Sequence, residues 1–587
     1  MTDDLSGAMF GVDWACSSRR FGYVLERAVK IPMSDGTLLD ADIWRPDAEG
    51  SFPAVLGYHC YEPYGQTGPI RPTAMSTAQW KNPGQERTNA SLEAGDPTFF
   101  ARRGYVHVVC NVRGTGRSEG TWSFVSPQSV RDGAEVVEWI AGQEWSDGNV
   151  GMFGVSYFAM MALFVAALQP PALKAIFSPW AATDPYRDYI YRGGMFAAGW
   201  PVGWSQTSLV YGNVRPEPYS KAALGEEEYQ TRIAACLANP DIQANPALVA
   251  ALQRPEEGKH PFLVDLLLHA THDAYWDERT LDPAKVTIPA YLGADWANYG
   301  LHLPGALRNW GGVQGPKKLL VGPPVYLDRP LYQLQHEAVR WFDHWLGGVD
   351  TKIMDEPPIK LFVVNKNEWV ESESWPLPQT RFTPFYLHED NLLSEHEHWS
   401  YEGSDSFEDS PWGRGALEYS TPQMVENTEI IGPVALRLYA ATTGTDINWI
   451  VSLLYEDEDG VRKLVSKGWL KASHRERDET QKPWEPLYTH AKSEPVQPLE
   501  IVPYDIKITP IGILLPAGSR LVLRISCVDD PPNDALQLTA AGTLSRTEVS
   551  RITVFHNEDH PSSLLLPVTS GNHVNTFFSG GHLSKAL

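Results

Sequence analysis

Asn149-Val-Gly-Met-Phe-Gly-Val-Ser-Tyr-Phe-Ala159 is the stretch on which the reading of this chain turns. A short apolar strand, Val150 to Phe153, runs into Gly154-Val155-Ser156-Tyr157, and an apolar helical run from Met160 to Leu168 follows at once. Gly-x-Ser alone is common, but between a buried strand and a helix it forms a nucleophile elbow. The turn is so tight that the serine takes strained dihedrals and its hydroxyl stands proud of the sheet edge. Gly154 spares a collision that any side chain would cause there. The helix behind Ser156 points its positive end at a developing oxyanion, and the Tyr157 N–H becomes a donor to it.

Outward from the elbow, the pattern from about Leu25 to Trp180 alternates buried strands with helices. Pro53 to Tyr58, Val106 to Asn111 and Leu173 to Phe177 are short apolar runs of the parallel-sheet kind. Ser129 to Gln143 reads as an amphipathic helix with Val130, Val136, Val137 and Ile140 on one face. This alternation predicts a doubly wound α/β sheet. From about residue 185 to 282 it gives way to aromatics and then to polar helical segments, as expected of an inserted helical cap. The sheet resumes at Ile288 to Leu292 and Lys318 to Val321, and closes with a helix around Glu337 to Leu346. Beyond residue 357 the segments Ile359 to Val364, Val434 to Tyr439, Trp449 to Tyr455 and Leu521 to Val528 are β-rich and separated by turn residues. They predict a β-sandwich or jelly roll. The expected domains are therefore residues 1–184 with 283–356, the cap 185–282, and the β domain 357–587.

A chain of 587 residues is too long for one core. Its net charge of −24 argues against nucleic acid and against an anionic membrane as partner. The 21 Trp and 24 Tyr suit pockets for apolar or aromatic ligands as well as a large β-rich core. Five scattered cysteines, with no CxxC spacing, fit reduced thiols and not a zinc site. The N-terminus lacks the features of a signal peptide and no run reaches transmembrane length. These features lead us to expect a cytoplasmic protein with a small-molecule substrate and without a metal or other cofactor. Homodimerisation stays open.

Five blocks together carry a family resemblance. They are Asp35-Gly-Thr-Leu-Leu-Asp-Ala-Asp-Ile-Trp-Arg-Pro46, Asn111-Val-Arg-Gly-Thr-Gly-Arg-Ser-Glu-Gly120, Trp145 through the elbow to Tyr157, Arg340-Trp-Phe-Asp-His-Trp-Leu346 with Glu356-Pro-Pro, and Trp375-Pro-Leu-Pro with Phe385-Tyr-Leu. In that order they resemble the CocE/NonD group of serine hydrolases, which includes cocaine esterase and the X-prolyl dipeptidyl-peptidases. The resemblance covers nearly the whole chain. It implies an α/β-hydrolase domain, a helical cap after the sixth strand and a C-terminal jelly roll. It also implies a Ser–Asp–His triad, with an oxyanion hole made by a tyrosine hydroxyl and the N–H after the serine. The tyrosine maps to Tyr61, with Tyr64 in Glu62-Pro-Tyr-Gly65 as the other candidate.

Two departures shape the functional reading. The family's acid follows the seventh strand in a Trp-x-Asp context, where this chain has Asp295-Trp-Ala-Asn298; its histidine follows the eighth strand in Gly-Pro-x-x-His, where this chain has Gly322-Pro-Pro-Val-Tyr326. Asn298 carries no charge to stabilise an imidazolium, and Tyr326 is a poor general base at neutral pH. Asp295 is an alternative acid partner. His302 lies four residues beyond Asn298 on the loop or helix entering over the site, where a helix would put the two on one face; His59, near the oxyanion loop, and His272, in the cap, are the other candidate bases. Three readings follow. One is a hydrolase of an ester, amide or related carbonyl, with Ser156 as nucleophile, His302 as base, and Tyr61 and Tyr157 around the oxyanion. The second is a non-hydrolytic enzyme (condensation, cyclisation, isomerisation or lyase) that uses the same hole for an enolate, with Tyr326 and His302 moving protons. The third is a catalytically silent binding protein. In each, Ser156, Tyr61 and Tyr326 are expected at one cavity roofed by Tyr189, Tyr191 and Trp200, with Tyr64, His59 and Trp296 as further pocket residues.

Overall fold

The computed structural model describes residues 16–61, 92–323, 330–397, 403–412, 415–478, 482–529 and 542–571. Tyr64 and Tyr326 lie outside the described residues. The first domain is built on a ten-stranded sheet. Its strands are β1 (Tyr23–Pro32), β2 (Leu38–Pro46), β3 (Phe52–His59), β4 (Val106–Asn111), β5 (Ser146–Phe153), β6 (Leu173–Pro179), β7 (Ala290–Asp295), β8 (Lys317–Gly322), β9 (Ile359–Val363) and β10 (Glu368–Ser372). They lie in the order β1-β2-β4-β3-β5-β6-β7-β8-β9-β10. From β4 to β9 every pairing is parallel, and the two edges are antiparallel. Six consecutive buried residues in β4 and again in β7 show why these strands read as unbroken apolar runs: helices cover both faces.

Two helices hold the elbow. In α1 (Pro127–Ala141) the Ser126 hydroxyl caps the first turn by accepting from the Ser129 N–H. The residues facing the sheet include Val130, Val136, Val137 and Ile140, the face expected from spacing. A Cβ on Gly133 would stand 2.6 Å from Val165 Cγ2, so the glycine lets α1 close onto its neighbour α2 (Tyr157–Ala167). Helix α2 is apolar all round and buried from Tyr157 to Ala166, as a helix beneath the middle of a sheet must be.

Between β6 and β7 the chain leaves the sheet for an insertion whose helices run from Gly199–Gln206 to Ala274–Asp277. Beyond β10, twelve strands form a second sheet around its own core, which includes Trp449, Tyr504, Ile506 and Leu523. Strand Ser563–Ser570 pairs with both Arg381–His388 and Thr428–Thr442, so the sheet closes on itself in a jelly-roll-like barrel. The two domains are joined at Val364, which accepts from the Leu514 N–H and donates to the Gly512 carbonyl, each at 2.9 Å.

Candidate active site

Ser156 sits between β5 and α2 at φ 59°, ψ −119°. For a residue with a Cβ this strained backbone costs about 1–3 kcal/mol, held by the packed strand and helix on either side. Gly154 has φ +155°, and a Cβ there would lie 2.3 Å from Phe158 Cβ. The elbow therefore has no room for another residue at that position. The Ser156 carbonyl accepts the first helical bond from the Met160 N–H. The Tyr157 N–H belongs to the first turn, whose N–H groups have no acceptor within the helix. Ser156 is half-buried and so open to a substrate.

The turn after β7 brings three polar side chains into line with it. Asp295, at the end of β7, is fully buried. Its Oδ1 accepts from the Ala297 N–H at 2.7 Å, while its Oδ2 accepts from the Trp180 indole N–H and from Asn298 Nδ2 at 3.0 Å. Asn298 Oδ1 lies 3.3 Å from His302 Nδ1, and His302 Nε2 lies 3.2 Å from Ser156 Oγ. Residues 296–302 form successive turns and the next helix, α3, is Leu303–Gly312. Of the loop or helix open to residues 298–302, the chain thus takes a turn. Its carbonyl of Asn298 accepts the N–H groups of Leu301, His302 and Leu303, and this keeps the four-residue spacing in register without a helix.

These contacts determine the histidine's tautomer. An ionised carboxylate only accepts, so the Asn298 amide must turn its NH₂ to Asp295 and its oxygen to His302. His302 Nδ1 then carries the proton and Nε2 presents its lone pair to the Ser156 hydroxyl. Burial pushes His302 down to about 3, so the ring is neutral at neutral pH. Burial likewise pushes Asp295 up to about 6, against the donors Trp180, Asn298 and Ala297, so it is ionised at pH 7 and protonates just below. The arrangement can take a proton from Ser156 and place a negative charge behind the imidazolium that results.

Aromatic rings link the elbow to the cap. Tyr61, at the end of β3, lies 6.2 Å from the Tyr157 ring and 6.4 Å from Trp204. Trp204 stacks on Trp200 at 5.1 Å, and Trp200 meets Tyr189 edge-on at 4.9 Å. The Tyr61 carbonyl accepts from Asn111 Nδ2 at 2.6 Å, tying its loop to the end of β4.

Three residues expected in the pocket are placed elsewhere. Tyr191 gives its hydroxyl to the Leu266 carbonyl at 2.9 Å and stacks on Tyr186, inside the cap's own core. His59 is wholly buried, stacks on Phe158 at 4.5 Å and accepts the Tyr61 N–H, so it supports Tyr61 from behind. Trp296 donates to the Phe362 carbonyl of β9 and packs on Gly512 of the β domain. In each case a backbone group or a ring face engages the side chain. Trp180 had no signal in sequence: it stands 115 residues from Asp295, and only the β6–β7 pairing brings them together.

Comparison with known proteins agrees with this architecture. Residues 35–325 match the X-Pro dipeptidyl-peptidase (S15 family) model, and residues 351–565 match the X-Pro dipeptidyl-peptidase C-terminal non-catalytic domain. A cocaine esterase of Rhodococcus sp. is 25% identical over 93% of this chain and 99% of its own length. A putative serine esterase of Mycobacterium bovis is 26% identical over 73% of this chain and 79% of its own. Among solved structures, a CocE/NonD family hydrolase from Staphylococcus aureus superposes with a TM-score of 0.77 at 24% identity, covering 93% of this chain and 94% of its own. An α-amino acid ester hydrolase superposes at 0.71 with 19% identity, covering 97% and 99%, so fold is what these two structures share with the chain.

Proposed function

The chain belongs to the CocE/NonD, X-Pro dipeptidyl-peptidase-like family of serine hydrolases, and from that premise we propose that Ser156 and His302 form its catalytic pair, cleaving a small ester or amide with an aromatic or apolar part. One observation carries the reading: His302 Nε2 stands 3.2 Å from the hydroxyl of a serine in the strained elbow conformation. Ser156 Oγ attacks the substrate carbonyl while His302 Nε2 takes its proton. The Tyr157 N–H, with the Tyr61 hydroxyl as second donor, holds the oxyanion. His302 returns the proton to the leaving alcohol or amine, and a water, deprotonated by the same nitrogen, releases the carboxylic acid. Asn298 keeps Nδ1 protonated, and the Asp295 charge stabilises the imidazolium from behind. The work of the family's acid is thus divided between an amide that orients and a carboxylate that carries charge. Tyr189, Trp200 and Trp204 would meet the apolar part of the substrate.

A fluorophosphonate probe tests this directly. Wild-type protein should be labelled at Ser156, and His302→Ala should slow both labelling and ester turnover by about 10²–10⁴-fold. Unlabelled Ser156, or a His302→Ala variant at wild-type rate, refutes the pair and returns weight to a non-hydrolytic use of the hole.

A further inference from the structure

Against the turn that carries Asn298 and His302 lies a cavity of about 320 Å³ between the two domains. The turn supplies Trp296, Ala297 and Tyr299 to one wall, and the β domain supplies Tyr455, Leu464 and Ile511 to the other. Neither Ser156 nor His302 lines it. We propose that this cavity is a regulatory site for a flat, uncharged aromatic molecule of one or two rings, and that its occupant braces the turn and speeds the Ser156–His302 reaction. The inference rests on His302 being the base.

The volume lies at the lower end of the range that small-molecule sites occupy, about 300–1,000 Å³. Three aromatic side chains and several aliphatic ones form its walls, so the preferred occupant is apolar and planar. Of the polar residues in the wall, Lys463 is exposed to solvent and two others are committed elsewhere. Arg462 is paired with Glu456 at 2.7 Å and Glu418 at 2.8 Å, and the Asn365 amide donates to the Leu514 carbonyl at 3.0 Å. Leu464 is half-buried and packs on the cluster that contains Tyr299.

The coupling is covalent and short. Trp296 and Ala297 are the only residues between Asp295, at the end of β7, and Asn298 on the path to the base. The Ala297 N–H is itself a donor to Asp295 Oδ1. The Tyr299 carbonyl, on the far side of Asn298, accepts from Thr509 of the β domain at 2.9 Å. The turn is therefore gripped at both ends by the β domain, through Trp296 on Gly512 and through Tyr299, with the cavity between the grips. The two contacts that must align for catalysis, at 3.3 and 3.2 Å, are both at the long end of hydrogen-bond distance. Filling the cavity gives the Trp296 and Tyr299 rings dispersion partners that solvent does not provide, and favours one position of the turn.

Indole is the probe. Calorimetry should show one equivalent bound to the wild-type chain, and saturating indole should raise kcat for p-nitrophenyl acetate about 5-fold or more with KM unchanged. Leu464→Trp, which fills the same space, should bind no indole and turn over at the rate of the indole-saturated wild type. Val465→Trp fills the space from the adjacent position and replaces it if that variant does not fold. Indole that raises KM alone is competing at Ser156, and overturns the proposal. So does saturation without a change in kcat, or Leu464→Trp binding indole like the wild type. His302→Ala separates the two readings. It should bind indole normally while turnover is lost; if it stays active, the assignment of the base fails whatever the calorimetry shows.

Discussion

Asp295→Asn removes one charge with almost no change in volume, and its effects on rate and on stability can be worked out separately. In the wild type, Asp295 Oδ1 faces the Ala297 N–H and Oδ2 faces the donors of Trp180 and Asn298. An amide there keeps one oxygen. The lower-cost orientation retains it at the Oδ2 position, serving two donors, and sets the NH₂ against the Ala297 N–H, at about 1–3 kcal/mol for the lost partner. Asn298 then keeps its orientation and His302 its tautomer, so what catalysis loses is the charge. At a separation of about 6–8 Å and an effective dielectric of about 20, that charge contributes roughly 2–3 kcal/mol to the imidazolium, or about 30- to 100-fold in kcat. The opposite orientation flips Asn298, places the proton on His302 Nε2 and costs about 10⁴-fold, the size of the wrong-tautomer effect in serine proteases. Stability moves the other way. The carboxyl titrates at about 6 when folded against an ordinary 3.8, so its contribution to stability is fully present below about pH 4 and is lost as pH rises through 6. Keeping it ionised at neutral pH costs the fold about 3 kcal/mol, which the variant is spared and the orphaned donor largely offsets. The assay is kcat/KM for p-nitrophenyl acetate from pH 4.5 to 9, with thermal melts at the same pH values. The wild type should lose activity with an acid limb near 6; Asp295→Asn should be slower throughout, lack that limb and melt near the wild-type temperature at pH 7. A variant with wild-type kcat and an unchanged limb near 6 refutes the role given to Asp295.

Further outcomes follow from the same geometry. Asn298→Asp puts a second carboxyl beside Asp295, and because two carboxylates in contact share one proton, the tautomer of His302 survives and kcat should stay within about 10-fold of wild type; Asn298→Leu orients nothing and should lose about 10³-fold or more. Trp180→Phe removes a donor from the buried carboxylate, so the acid limb should move to higher pH and the melt at pH 7 should reveal a loss of about 1–3 kcal/mol. Gly154→Ala meets Phe158 at 2.3 Å and should lower the melting temperature, by about 1–3 kcal/mol of overpacking, and fluorophosphonate labelling together. Ser156→Ala should retain only the residual rate that oxyanion hole and binding provide, about 10³–10⁴-fold over water.

The elbow, the buried strands, the cap and the change to a β-rich region were legible from sequence because each depends on neighbours within a few residues; the order of the strands was not, and Ile359 to Val364, read as the start of the β domain, instead pairs in parallel with Leu319–Val321 and extends the first sheet. An apolar run bounded by turns is a buried strand wherever it lies, and a Gly-x-Ser between strand and helix admits few backbones. His302 was within reach by the same kind of reasoning, since its distance of four residues from Asn298 serves in a turn as it would in a helix. The direction in which side chains point was another matter. Trp296 faces β9 and the β domain behind it, Tyr191 the cap core and Trp180 the carboxylate of Asp295, each because of a surface contributed from 66 or more residues away. The relay from Asp295 through Asn298 to His302 likewise needs β6, β7 and α2 assembled before any of its donors has an acceptor. Local pattern records what a residue does to its own backbone; which partner satisfies a buried polar group depends on the surfaces that meet when the chain closes, and those exist only in the tertiary structure.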